Sequence, residues 1–314
     1  MKNYIVGIEI GGTKIQVAIG TNDFNILKKL RYPVDQQKGA IGIRNNIESA
    51  IKTFLSDGFK IASIGAGFGG PIDWQSGVID RSHHIHGWDN FPLRDWLTNI
   101  ANCPAVVDND ANVATLAEAT LGVGKDFNIV FYITLGSGVG GGLVHNNQIY
   151  HGQKPGEMEI GHIRLDLSGT TVEANCSGWA IDKKIRELVA SGIDSPITQL
   201  VKTSPHGSEA RFLLPAIQKN DNFAINIFEK LCENLGFALS HVCHLVHPEI
   251  IILGGGLSLI GSSLAEKVQF YLKKYLMDAF KPGPMIAIAK LKEDAVPLGA
   301  MVLAQQYAKK LSNN

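Results

Sequence analysis

Four glycine clusters and one run of acidic and amide side chains carry the groups in this chain that could do chemistry. The clusters are GGTK at 11–14, GAGFGG at 65–70, GSGVGGG at 136–142 and GGGL at 254–257. Each follows an apolar, β-rich run, which places a sharp turn at a strand end. Such a turn can bring bare backbone N–H groups against an anion, because no Cβ blocks the approach and a positive φ costs little. Thr13 adds a hydroxyl donor to the first turn. One glycine turn is weak evidence for a phosphate site; three are harder to dismiss. In PAVVDNDANVATLAEATLG a short apolar strand runs into Asp108, Asn109 and Asp110, and a helix follows. One of the three can cap that helix. Another, at a strand end where open α/β sheets bind ligands, could take the proton of a hydroxyl attacking a γ-phosphoryl group.

The elements that must hold these groups are strands and helices in alternation. NYIVGIEI, IASI, NIVFYITL and EIIIL read as strands buried on both faces. GIRNNIESAIKTFLSDG, ANVATLAEATLG, FAINIFEKLCENLGFALSHVCHLV and SSLAEKVQFYLKKYLMDAF read as helices. The class is α/β. GSGVGG matches G-x-G-x-x-G, but a dinucleotide site needs a helix directly after the glycines. Here GLVHNNQIYHG reads as strand, Asn-Asn turn, strand. No G-x-x-x-x-G-K-[ST] loop occurs either, so a phosphate clamp built from two hairpins is the better geometry. The first and third clusters share that layout 125 residues apart, which predicts a duplication with two similar halves facing each other across a cleft.

At 314 residues the chain is expected to form two domains. The break is placed near 112–122, giving 1–115 joined by a returning last helix, about 300–314, and a second domain over 116–299. With 29 basic and 29 acidic residues and 45% hydrophobic content, nothing points to nucleic acid or to a lipid surface. No apolar run is long enough to span a bilayer, and MKNYIVGIEIGG lacks a leader pattern, so a cytoplasmic protein is expected. Cys103, Cys176, Cys232 and Cys243 form no C-x-x-C pair and read as reduced thiols.

In order along nearly the whole chain, these segments resemble the ROK family of sugar kinases, within the actin, hexokinase and Hsp70 group of ATPases. GIEIGGTK is similar to the family's first phosphate loop, GAGFGGPID and GWDNFPL to its substrate side, and VVDNDAN to its catalytic turn. ITLGSGVGGGLV is similar to its second phosphate loop, GEMEIGH to its sugar wall and PEIIILGGGLS to its adenosine segment. The resemblance implies an actin-like, ribonuclease H-like ATPase fold and an ATP-dependent hexose kinase using Mg²⁺, expected as a homodimer. Asp110 would be the general base, Asn109 a partner of sugar hydroxyls and Gly70 a backbone contact to the sugar. Glu159 and His162 would hold ring hydroxyls, and Glu173 matches the glutamate after the family's cysteine cluster. Gly11, Gly12, Thr13, Gly136, Ser137 and Gly138 would clamp phosphates, with Gly254, Gly255 and Gly256 beneath the nucleotide.

Three departures from the family pattern stand out. Glu9 replaces the usual Asp and reaches about one methylene further toward a metal-bound water. GFGGP replaces the common PGP, with Gly69 at the first Pro, which is expected to loosen that loop. Family members carry C-x-C-G-x-x-G-C about ten residues after the GH histidine, and those thiolates bind a structural zinc. The aligned LDLSGTTVEA holds no cysteine, so no zinc is expected and HIRLDLSGTTVEANCSGW reads as sugar wall. The histidine groups His83, His84, His86 and His241, His244, His247 lack supporting carboxylates and are assigned no metal. The first group is expected to border the sugar pocket, because it precedes GWDNFPL. Lys14 and Arg81 are kept out of the site as surface cations. The favoured acceptor is the 6-hydroxyl of glucose or a related aldohexose. The alternatives are an N-acetylated hexosamine or fructose, a sugar-responsive transcriptional regulator, and a sugar binder without catalysis. A regulator would need a helix-turn-helix before the first loop, where only about eight residues precede Glu9.

Overall fold

The structure, a computed structural model, describes residues 3–80, 82, 85–154, 156, 158–202 and 204–313. The chain opens with strands β1 (Tyr4–Ile10), β2 (Lys14–Gly20) and β3 (Ile26–Pro33), then helix α1 (Gly39–Ser56) and β4 (Ile61–Phe68). β1 and β4 are buried along most of their length, as continuous apolar runs require of strands covered on both faces. β3 alternates half-buried and exposed residues, the pattern of an edge strand. α1 turns Ile43, Ile47, Ala50, Ile51 and Phe54 inward at helical spacing. β5 (Ile72–Asp73), β6 (Val78–Ile79) and β7 (Phe91–Pro92) form a small sheet; α2 (Leu93–Ala101), β8 (Ala105–Asn109) and α3 (Asp110–Thr120) follow.

β9 (Ile129–Leu135), β10 (Val139–His145) and β11 (Gln148–Ile149) come next, then α4 (Val172–Cys176), α5 (Gly178–Ala190), α6 (Pro196–Val201), α7 (Leu213–Ile217) and α8 (Asn222–Val246). β12 (Ile250–Gly254), α9 (Ser262–Tyr275), β13 (Met285–Ile288) and α10 (Ala295–Ser312) complete the chain. The two large sheets run β3-β2-β1-β4-β8 and β11-β10-β9-β12-β13. In both, the first three strands lie in reverse order before the two later ones, and the pairings of the first with the fourth and of the fourth with the fifth are parallel. This shared wiring is the duplication the glycine turns announced. Two compact units result: Met1–Asn128, Gly142–Met158 and Leu291–Asn314 form one, Ile129–Gly141 and Glu159–Lys290 the other.

In the first unit α10 lies against β1, β4 and α3 at close range. Glycines permit this: a Cβ on Gly7 would overlap the Pro297 carbonyl, one on Gly65 that of Ala300, and one on Gly299 that of Val113. α3 is buried on all sides from Ala111 to Ala119, which its small residues allow. Its buried Glu118 uses both oxygens as backbone acceptors, for Val123 N–H at 3.0 Å and Leu291 N–H at 2.7 Å. In the second unit α8 buries Ile227, Leu231, Leu235 and Leu239, and Gly236 lets α9 approach at Tyr271. All four cysteines are free thiols and buried. Burial pushes the Cys103 thiol up to about 11, Cys176 and Cys243 to about 12, and Cys232 higher still. No helix among the described residues is long and apolar enough to cross a membrane.

Candidate active site

The Asx run divides its labour among three residues at the C-terminal end of β8. Asn109 is the helix cap, its Oδ1 accepting from Ala111 N–H at 2.8 Å and Asn112 N–H at 3.3 Å. Its Nδ2 lies 3.5 Å from the Gly70 carbonyl, which ties the cap to the loop after β4. Asp108 is buried and accepts from Asn109 N–H at 2.8 Å and Asn112 Nδ2 at 3.0 Å. Its second oxygen lies 2.6 Å from His151 Nε2. Asp110 is the first helical residue and half-buried, beside Gly69, where a Cβ would stand 3.2 Å from Asp110 Oδ2. Gly69 does not loosen its loop. Its N–H donates to the Ile10 carbonyl at 2.9 Å, a bond that a proline there could not make.

In the first unit the glycine turn at Gly11–Thr13 joins β1 to β2, with Gly11 N–H on the Lys14 carbonyl at 3.1 Å. Glu9 is the last residue but one of β1, its Oε2 accepting from Gln16 Nε2 and its Oε1 3.4 Å from Lys14 Nζ. Lys14, set aside as a surface cation, therefore stands beside the carboxylate of the first loop. In the second unit Gly136–Gly138 join β9 to β10, closed by Gly136 N–H on Gly138 O at 3.0 Å. Gly136 O accepts from Gly178 N–H at 2.7 Å, so the start of α5 lies against this turn. The Ser137 side is exposed. Gly254 packs against Tyr132, Gly255 takes φ +78° against Leu135, and Gly256 is open, with nothing within 4 Å of a Cβ.

Glu159 and His162 bracket a short 3₁₀ turn, Ile160–His162, with their side chains 53% and 75% exposed and 3.9 Å apart. Glu173, in the first turn of α4, gives one oxygen to Val139 N–H at 2.8 Å and fills the space a Cβ on Gly138 would take. It thus braces the second glycine turn. Between them a hydrogen-bonded loop occupies the expected cysteine region: Arg164 pairs with Thr171, and Asp166 accepts from Ser168 Oγ at 2.5 Å and Thr170 N–H at 3.1 Å. Cys176 is buried beneath α8 with its thiol toward the Leu231 carbonyl. Bonds from Ser168 and then Thr170 lower the Asp166 carboxyl from its ordinary 3.8 to about 2. A lowered folded-state pKa stabilises the loop fully above the unfolded value, and that support is lost as pH falls through about 2. The Thr170 amide shift is expected to titrate with a midpoint near 2; a midpoint at the ordinary 3.8 would contradict these bonds.

Of the histidine groups, His83 and His84, with Arg81, lie outside the described residues. His86 packs its ring under Gly39 at the start of α1. His244 accepts from Met277 N–H at 3.2 Å, and His241 and His247 meet the edges of Phe237 and Phe280. Among the described residues no group of three or more His, Cys, Asp and Glu is placed to hold a metal ion. The sequence reading missed His151, Trp74 and Asn112, which gather around Asp108. Nothing local in NNQIYHGQKPG marks His151 as a partner of Asp108.

The sequence matches the ROK family over residues 5–307. It is 33% identical to a glucokinase of Halalkalibacterium halodurans, covering 96% of this chain and 95% of that protein. It is 29% identical to a glucokinase of Thermotoga maritima, covering 96% and 97%. The fold superposes on the crystal structure of a ROK family glucokinase from Streptomyces griseus in complex with glucose and AMPPNP. The TM-score is 0.83 at 28% identity, over 96% of this chain and 99% of that one.

Proposed function

The chain belongs to the ROK family, with the actin-like ATPase fold of its kinases, and from that premise we propose that it transfers the γ-phosphoryl of ATP to a hexose. The acceptor is the 6-hydroxyl of glucose or a related aldohexose. The observation that carries this reading is the division of roles at residues 108–110. Asn109 takes the helix cap and Asp108 is bonded to His151, while Asp110 heads α3 at the strand end. A carboxylate there can accept the hydroxyl proton as the oxygen attacks phosphorus. Asn109 and the Gly70 backbone supply neighbouring polar groups for the sugar. Glu159 and His162 offer an exposed acceptor and a ring nitrogen for further hydroxyls.

In the two glycine turns the N–H groups of Gly11 and Gly136 close the turns themselves, and those of Gly12, Thr13, Ser137 and Gly138 are the ones that would cradle phosphate oxygens. Mg²⁺ carried with ATP would neutralise phosphate charge. Glu9 fits as the carboxylate for a metal-bound water, because Gln16 orients it while its side chain keeps 12% exposure. The relatives named glucokinase support glucose as acceptor. The test is a panel of hexoses and N-acetylhexosamines with ATP and Mg²⁺, ranked by kcat/KM, with the product's phosphate located by NMR. Glucose 6-phosphate as the leading product is the expected result. Preference for an N-acetylhexosamine or fructose would reassign the substrate, and no sugar phosphate at all would overturn the reading.

A further inference from the structure

Asp108, His151 and Trp74 form a partly buried chain, with the buried Asp108 at its inner end, that no element of the proposed reaction uses. The His151 side chain is 14% exposed and that of Asp108 4%, so this 2.6 Å bond is largely shielded from water. The Trp74 ring lies flat on the imidazole, centroids 4.0 Å apart and planes within 11°. Trp74 follows the Gly70–Pro71 turn and the short strand β5, whereas His151 follows β11. Three stretches distant in sequence therefore meet at one imidazole.

Two further contacts link the same stretches. Lys154 Nζ bonds Asp73 Oδ2 at 2.7 Å and, as the largest cause, lowers that carboxyl from 3.8 to about 2. Gly156, at φ +93°, gives its carbonyl to Asn112 Nδ2 at 3.2 Å; a Cβ there would stand 3.3 Å from Trp74 Cδ1. Lys154 is thus bonded to Asp73 in the loop after Gly70, and Gly156 to Asn112 in the first turn of α3.

We propose that His151 is a positioning residue for the phosphoryl transfer, acting through Asp108 on the turn that presents Asn109 and Asp110, and through Trp74 on the loop after Gly70. A carboxylate only accepts hydrogen bonds. The Asp108 oxygens take donors from Asn109 N–H, Asn112 Nδ2 and His151, and removing His151 leaves a buried carboxylate short of one donor. That carboxylate can relax by turning, and turning it moves the N–H it holds on Asn109. Displacement of a reacting group by about 1 Å can cost about 100-fold in rate. The proposal rests on the hexose kinase reading, and its test separates the two.

Two variants divide the contacts. His151→Phe keeps a ring for Trp74 but no donor for Asp108; His151→Gln keeps a donor near the Nε2 position but no ring. For the sugar that wild type phosphorylates best, His151→Phe is expected to lower kcat/KM for sugar about 10- to 100-fold, with KM for ATP within about twofold. His151→Gln is expected to recover at least half of that loss on a logarithmic scale. Thermal unfolding, read beside the kinetics, must show both variants folded at the assay temperature. If His151→Phe is folded and its kcat/KM for sugar stays within about twofold of wild type, the proposal fails while the kinase reading stands. Equal losses toward ATP and sugar, or no recovery in a folded His151→Gln, would overturn it as well. Should His151→Phe not fold, Trp74→Phe is measured in its place and is expected to keep the stack and most of the activity. Loss of sugar kcat/KM in folded Trp74→Phe equal to that of Trp74→Ala would overturn it too. A wild-type chain that phosphorylates no sugar fails the kinase reading itself.

Discussion

Asp110→Asn is expected to lower kcat about 100- to 10,000-fold, the range a positioned general base contributes, while the sugar dissociation constant changes less than about threefold. The amide has nearly the shape of the carboxylate and can still accept a hydrogen bond from the sugar hydroxyl, so ground-state binding survives. It cannot take the proton, so the loss falls in the transition state. Helix α3 keeps its cap in this variant, because Asn109 and not Asp110 receives the Ala111 and Asn112 N–H groups. The counterpart Asn109→Ala acts differently. It removes that cap at a cost of about 1 kcal/mol and the contact to Gly70, so it is expected to weaken stability and sugar binding together. Coupled ADP release gives kcat, and calorimetry with sugar alone gives binding. An Asp110→Asn enzyme with unchanged kcat would remove Asp110 from the role of base.

This division could be read from sequence only as an alternative. Three adjacent Asx residues predict one cap and two candidates for other roles, but their order is set by where β8 ends and α3 begins, and strand ends are fixed by pairing. Once Asn109 pairs with Phe68 at the end of the β4–β8 ladder, the side chain at 109 can reach the first helical amides. The long buried strands and the larger helices were legible because a continuous apolar run or a helical repeat reports burial directly. The Asn146–Asn147 turn was legible for a local reason: both residues take φ above +50°, which Asn tolerates better than most. β5, β6 and β7 were not legible, since each is two residues long and exists through its partner. α9 stops at Tyr275, short of the helical run that extends to Phe280, because Leu276 turns extended and buries its side chain. The Asp108–His151–Trp74 chain is tertiary in every link. Nothing within a window around Trp74 or His151 reveals the other.

Gly65→Ala is expected to destabilise the first unit by about 3 kcal/mol, the upper part of the usual range for overpacking. Gly65 stands mid-strand in β4, where its missing Cβ admits the α10 backbone; the added methyl would overlap the Ala300 carbonyl. A flexible side chain could swing away, but a carbonyl inside a helix cannot move without the helix. α10 is held in turn by Gly7 against Pro297 and by Gly299 against Val113, so moving it disturbs β1 and α3 together. The consequence reaches the site through Gly67, two residues along β4, where a Cβ would stand 3.3 Å from the Asp110 Cα and 2.6 Å from Val296 Cγ1. The strand and the helix that carries the proposed base are therefore packed backbone to backbone, and activity in Gly65→Ala should fall along with stability. Gly256→Ala is the matched control: nothing lies within 4 Å of its Cβ and its φ is not in the left-handed region. Its stability is expected within about 0.5 kcal/mol of wild type, with any effect confined to KM for ATP. Urea unfolding of the two variants measures the contrast. Equal midpoints would mean that α10 is not seated on Gly65 as described.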